Sequence, residues 1–302
     1  MPALIDVSST LGALELGVLL SYLLFGVTTT QSYVYYTRFP NDDWKLKLLV
    51  AFVWACEATH SACVAHALYV FTILNYGNPK SLIQALPLTF DTAVLFASII
   101  TTVVQGFFAY RIYILGKRRI TVPAIVWAIS TFRLIACLGI FGAGVRMKSL
   151  VTFEAQFGWL MITVWAIGAA NDIGITASLV YLLYTQRNEI HSKTVPLIDK
   201  LIVWAIETGM MTSACALFTL IFFATRRQNF VWLAIYIITA RVFSNSLLAS
   251  LNGRSTLRTM DAPPPRIYLG STTTGNPTTK SAQISIGLEF QQTHNRDSPN
   301  VT

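Results

Sequence analysis

An all-α fold, an integral membrane bundle of seven helices with a disordered carboxyl-terminal tail, is what this sequence predicts, and three observations predict it. First, 54% of the 302 residues are hydrophobic and only 12% are charged, with a mean hydropathy of +0.55, too few charges to cover a soluble globule of this size. Second, the apolar residues gather in blocks of the length that a helix rising about 1.5 Å per residue needs to cross roughly 30 Å of hydrocarbon. Third, loops such as GKRRI at 116 and ATRRQN at 224 are short enough to force neighbouring helices antiparallel. Barrel strands are excluded by the length and uniform apolarity of the blocks.

The seven blocks run from Leu11 to Tyr36, Leu46 to Leu74, Leu86 to Leu115, Ile120 to Gly142, Phe157 to Tyr184, Ile198 to Phe223 and Phe230 to Leu251. MPALIDVSST has no basic residue before the first block, which is longer than a signal-peptide core, so that block reads as a retained span after a short extracellular segment, residues 1–10. Residues 11–256 form the membrane domain. Residues 257–302 are rich in Pro, Ser and Thr and cannot bury a core, which makes them a disordered cytosolic tail. The sequon at Asn300 then faces the cytosol unused. Cys56, Cys63, Cys137 and Cys215 all fall inside spans and imply no disulfide framework.

Orientation follows from the loop cations. Arg38, Lys45, Lys47, Lys117, Arg118, Arg119, Arg187, Lys193 and Lys200 follow spans 1, 3 and 5, and Arg254, Arg258 and Arg266 follow span 7. The other side has Lys80, Arg146, Lys148, Arg226 and Arg227. The amino terminus is therefore expected outside and the tail in the cytosol, in the plasma membrane. The net charge of +8 is expected to meet anionic lipid of the bilayer, not nucleic acid, for which there is no basic soluble face.

An ionisable group inside a span is expensive unless paired and is a functional candidate by default. Glu57 and His60 lie in span 2, Asp91 in span 3, Arg133 in span 4, Asn171 and Asp172 in span 5, Glu207 in span 6, and Arg241 with Asn245 in span 7. Glu57, Arg133, Glu207 and Arg241 sit roughly 13 to 20 Å from the start of their spans, near the midplane. Two readings stand. The acids and arginines neutralise one another across the bundle, with Glu207 and Arg241 one pair to test; or they line a cavity that binds a small-molecule ligand or moves an ion. Cys56, His60 and Cys63 share a helical stripe beside Glu57. Such groups ligate zinc, but no other span offers a matching cluster, so the expectation is hydrogen bonding to neighbouring helices, with no metal and no cofactor.

Arg241, Asn245, Leu248 and Asn252 also share one face, which must turn inward so that its amides bond across helices. Arg254 then reaches the cytosolic headgroups, and Gly253 is expected to loosen the helix so that it stops there.

The stretches ETGMMTSACALFTLIFF at 207–223 and NSLLASLNGR at 245–254, with LKLLVAFVWACEATHSACVAHALY at 46–69, NYGNP at 75–79, FFAYRIYIL at 107–115 and NDIGITASLVYLL at 171–183, resemble a family of fungal, chiefly basidiomycete, seven-span membrane proteins known as a domain of unknown function. The resemblance covers most of residues 11–256. It implies that Glu57, His60, Asp172, Thr208, Gly209, Asn245, Asn252 and Arg254 are family pattern positions, and it implies no activity.

Function is therefore expected to be that of a receptor-like membrane protein that senses a ligand and is not an enzyme; the alternative is a transporter or channel using intramembrane carboxylates, and a metal-dependent intramembrane hydrolase ranks below both. Arg111, at the inner end of span 3, lacks the acidic neighbour found in rhodopsin-like receptors and reads as an interfacial anchor. A retinal pigment is excluded because Phe230 to Leu251 contains no lysine for a Schiff base. No catalytic residue and no cytosolic partner is assigned.

Overall fold

The structure, a computed structural model, describes residues 8–78, 87–147, 149–189, 195–226 and 229–261. The expected tail beyond residue 261, with Arg266, His294 and Asn300, lies outside the described residues, as do Lys80, Lys148, His191, Lys193 and Arg227.

Seven α-helices account for most of the described residues: α1 Ala13–Arg38, α2 Trp44–Tyr69, α3 Leu88–Leu115, α4 Thr121–Arg146, α5 Leu150–Glu189, α6 Val195–Thr225 and α7 Val231–Asp261. A π-helical turn, Ser8–Gly12, precedes α1, and another, Val70–Leu74, extends α2. All seven are long and apolar enough to cross a bilayer, which marks an integral membrane protein.

Local chemistry sets several of the ends. Asp43 caps α2 by accepting from the Lys45 backbone N–H at 3.4 Å. Pro87, which lacks an N–H to lose, stands immediately before α3. At the other end of α3 the Gly116 N–H returns to the Ile112 carbonyl at 2.8 Å, and the chain turns through Lys117 and Arg118, both with positive φ, 54° and 64°.

Two boundaries depart from expectation. Helix α5 begins at Leu150 instead of Phe157, because Leu150 is buried against the core and the polar residues between them stay helical. Helix α7 does not stop at Gly253. It runs on to Asp261, and Gly253 is buried with the Trp204 ring lying where a Cβ would project. The glycine is there for close approach to α6, not to end the helix.

Helix α7 is the central element: 61% of its spanning window is buried, against 17% for α4 and for α6. Towards the starts of α1, α3, α5 and α7, here the amino-terminal face, its residues Trp232, Leu233 and Ile237 join Leu14, Val18, Val64, Phe71 and Phe223. Deeper, Ala240, Phe243, Leu247 and Leu251 pack with Tyr35, Val53, Ile100 and Val104. A third cluster, Ala109, Ile112, Val126, Ile175, Leu179 and Ala205, joins α3 to α4, α5 and α6. Apolar residues such as Leu23, Trp127 and Phe218 stay on the outside, where acyl chains would cover them.

Candidate functional site

Two polar networks occupy the interior. The first centres on Arg241, which is wholly buried in α7. Its Nε donates to Ser21 Oγ of α1 at 2.9 Å, and its Nη1 to the Glu57 carbonyl at 3.1 Å. Nη2 donates to Ser61 Oγ at 2.8 Å and to His60 Nδ1 at 2.9 Å. A guanidinium can only donate, so His60 Nδ1 is the ring nitrogen without the proton. The Glu57 carboxylate forms an ion pair with Arg241 Nη1 and accepts from the Ser244 hydroxyl one turn along α7. Arg241 also lies over the Phe25 ring, 5.3 Å from its centroid.

Every charge in this cluster is met by an opposite charge or a hydrogen bond, as a buried pair requires in order to persist. Of the expected cross-bundle partners, Arg241 takes Glu57. Glu207 is exposed on α6 and does not meet Arg241; it lies not at the midplane but one turn from Trp204, which packs on Gly253 towards the carboxyl-terminal face. Of the Cys56, His60, Cys63 stripe, His60 is turned to Arg241, while Cys56 and Cys63 pack among apolar residues. Among the described residues no group of three or more His, Cys, Asp or Glu side chains is arranged to hold a metal.

The rest of the α7 stripe binds α1. Asn245 Nδ2 donates to the Arg241 carbonyl at 2.9 Å and to the Leu24 carbonyl at 3.3 Å, and Asn252 Nδ2 to the Gln31 carbonyl at 2.9 Å. Arg254, expected at the headgroups, has protein partners. It pairs with Asp42 at 2.5 Å and covers the Phe39 ring at 4.5 Å, closing the end of the bundle where α1 turns into α2.

The second network lies among α3, α4 and α5. Gln105 Nε2 donates to Asp172 Oδ1 at 2.7 Å, and Gln105 Oε1 lies 2.8 Å from the Ser130 hydroxyl. Asn171 Nδ2 donates to Ser130 at 3.2 Å. Arg133 Nη1 reaches Gln105 Oε1 only at 3.4 Å, and Arg133 Nε, though buried, has no acceptor among the described residues. Gly168 leaves the space beside α5 that the Arg133 guanidinium fills.

Arg133 and Asp172 of this network form the floor of a cavity of about 100 Å³ that extends from the amino-terminal face to mid-bundle between α3, α4, α5, α6 and α7. Asp91 and Glu154 line its outer part, Arg133 and Asp172 its inner end. Trp165 forms an aromatic wall with Trp232 and Tyr236, each 5.8 Å away by ring centroid. Trp232 is 3% exposed, and its indole N–H has no acceptor among the described residues. Below the floor, a small cavity shares Asp172 and Phe243 with the first, and a third of about 260 Å³ continues from it past Phe108, Leu179 and Thr208 towards the carboxyl-terminal face.

The structure thus divides the expected candidates. Glu57, His60, Arg241 and Asn245 belong to the filled α1–α2–α7 cluster; Asp91, Arg133 and Asp172 share the cavity; Glu207 and Thr208 line the third. Gly209 lies against α5, the Thr176 side chain standing where its Cβ would go. Sequence reasoning missed Gln105, Ser130, Ser21, Ser61 and Ser244. A signal existed in α3, where Asp91, Ser98, Thr101 and Gln105 fall on one helical face.

Residues 168–256 match a family of unknown function (DUF6534). The match to DUF6534 begins at the glycine that admits Arg133 and takes in Asp172, Gly209, Arg241, Asn245, Asn252 and Arg254, so it covers α7 with its pairing groups and one wall of the cavity. Glu57, His60, Asp91 and Arg133 lie outside it. No curated protein and no solved structure matches the chain.

Proposed function

We propose that this multi-pass membrane protein senses a small molecule, receptor-like in topology, with the amino-terminal face outside the plasma membrane and the tail in the cytosol. The loop cations support the orientation. The observation that carries the sensing role is the Trp232 indole N–H, buried in a cavity wall with no acceptor among the described residues. An unmet buried donor costs about 1–3 kcal/mol, and a ligand oxygen removes that cost. Arg133 Nε adds a second such donor, while the aromatic wall suits an apolar body.

Tryptophan emission of the purified protein, screened against small apolar molecules bearing a carbonyl or hydroxyl, tests this reading. A binder should perturb the emission and lose affinity on Trp232→Phe, which keeps the ring stack and removes the N–H. Binding indifferent to both Trp232→Phe and Arg133→Gln contradicts it.

A second reading, transport, is favoured by one observation: Asp172 and Phe243 line both the outer cavity and the one beneath. Cation or proton flux in proteoliposomes that disappears on Asp172→Asn supports transport over sensing; tight vesicles support sensing.

A further inference from the structure

The cavity of about 260 Å³ near the carboxyl-terminal face carries its own chemistry, independent of the outer one. Arg111, on α3, and Glu207, on α6, both line it, yet no ion pair among the described residues joins them. Arg111 donates one N–H to Ser250 Oγ, at 2.7 Å, and its guanidinium makes no other hydrogen bond among the described residues. Glu207 is exposed on a helix face shared with Ile206, Met210 and Met211, also exposed, so its carboxylate is turned towards the lipid side. A charge left among acyl chains is costly, and the cavity beside it also holds a guanidinium.

Depth narrows the occupant. Arg111 stands one helical turn before the end of α3, and Ser250 one turn before Arg254, which places the cavity roughly 6 to 10 Å inside the carboxyl-terminal face. That is the depth at which headgroups meet acyl chains. Trp204 forms part of the wall, with its ring over Gly253 and Lys200 Nζ 5.6 Å from its centroid.

We propose that this cavity binds a phosphoamine zwitterion, its phosphate on Arg111 and its ammonium on Glu207, beside the Trp204 ring. Opposite charges on separate walls with room between them fit such a molecule better than they fit an anion, which Glu207 repels, or a simple amine, which Arg111 repels. The source is either the headgroup of a zwitterionic phospholipid or a free phosphoamine.

The full-length protein, stripped of lipid in detergent, is titrated with phosphatidylethanolamine, phosphatidylcholine or phosphatidylglycerol of identical acyl chains, and with soluble glycerophosphoethanolamine, following thermal unfolding. Both zwitterionic lipids should stabilise the wild-type protein at lower concentration than phosphatidylglycerol does. Glu207→Gln, an exposed and fold-neutral change, should remove that preference, raising the concentration of zwitterionic lipid needed about tenfold, which is 1.4 kcal/mol. Arg111→Gln should weaken all the phosphate-bearing ligands, and Arg111→Lys should restore part of the effect. A response to glycerophosphoethanolamine equal to that of the lipid assigns a free ligand; a response to lipid alone assigns the headgroup. Equal stabilisation by phosphatidylglycerol in the wild type, or a preference that survives Glu207→Gln, overturns the proposal, even if the Arg111 variants fail to fold.

Discussion

Arg241 and Arg133 are both arginines near the middle of a spanning helix, yet their surroundings are opposites. Arg241 is saturated: Ser21, Ser61, His60 and both the backbone and carboxylate of Glu57 take its donors. Arg133 holds Gln105 at 3.4 Å, leaves Nε without an acceptor and borders open space. The α1–α2–α7 side of the bundle uses its charge to lock three helices together. The α3–α4–α5 side keeps its charge available. A buried ion is therefore structural or receptive according to how completely its donors are met, not according to its type or depth.

The largest effect should come from the saturated side. Arg241→Ala leaves Glu57 buried without a counter-charge and should cost about 3–5 kcal/mol, read as unfolding in detergent. Glu57→Gln with Arg241→Gln should cost less than the sum of the single changes; additive losses would deny the pairing. Arg133→Gln, removing a loosely held charge, should cost less than half as much as Arg241→Ala in the same assay, and equal losses would erase the contrast.

Glycine packing sharpens the comparison. A Cβ on Gly17 would come within 2.7 Å of the Ala234 backbone, whereas one on Gly168 would meet the movable end of Arg133. Gly17→Ala should thus cost about 1–3 kcal/mol by overpacking α1 against α7, and Gly168→Ala should cost under about 1 kcal/mol while altering ligand response. A reversed order would show that the cavity side is the rigid one. The smallest effect belongs to the partly exposed Arg254–Asp42 pair, where Asp42→Asn should lower stability by no more than about 1 kcal/mol and less at high salt.

The seven crossings were legible because bilayer thickness imposes length and apolarity on each helix, and those survive in composition alone. The Glu57–Arg241 pair was legible only as a set of charges at similar depth. Which acid takes which arginine depends on helix rotation and on true depth: Glu57 meets Arg241 together with hydroxyls at Ser21, Ser61 and Ser244 that hydropathy does not register, whereas Glu207 lines a cavity nearer the carboxyl-terminal face. Gly253 misled for a related reason: its effect on helix propensity is local, whereas the space it leaves for Trp204 is a property of two helices. Gln105 and Ser130, uncharged and scattered among Thr and Ser, gave no signal beyond a polar stripe.

Two native thiols report the contrast directly. Cys137 lines the outer cavity, and Cys56 is packed in the α2–α3–α7 core. In sealed vesicles, single-cysteine variants retaining one or the other are exposed to a membrane-impermeant methanethiosulfonate on each side in turn. Modification of Cys137 from the side carrying Ser8, blocked by a bound ligand, with Cys56 protected from both sides, is the predicted result; equal rates at the two thiols, or faster reaction at Cys56, would contradict a receptive cavity set beside a closed core.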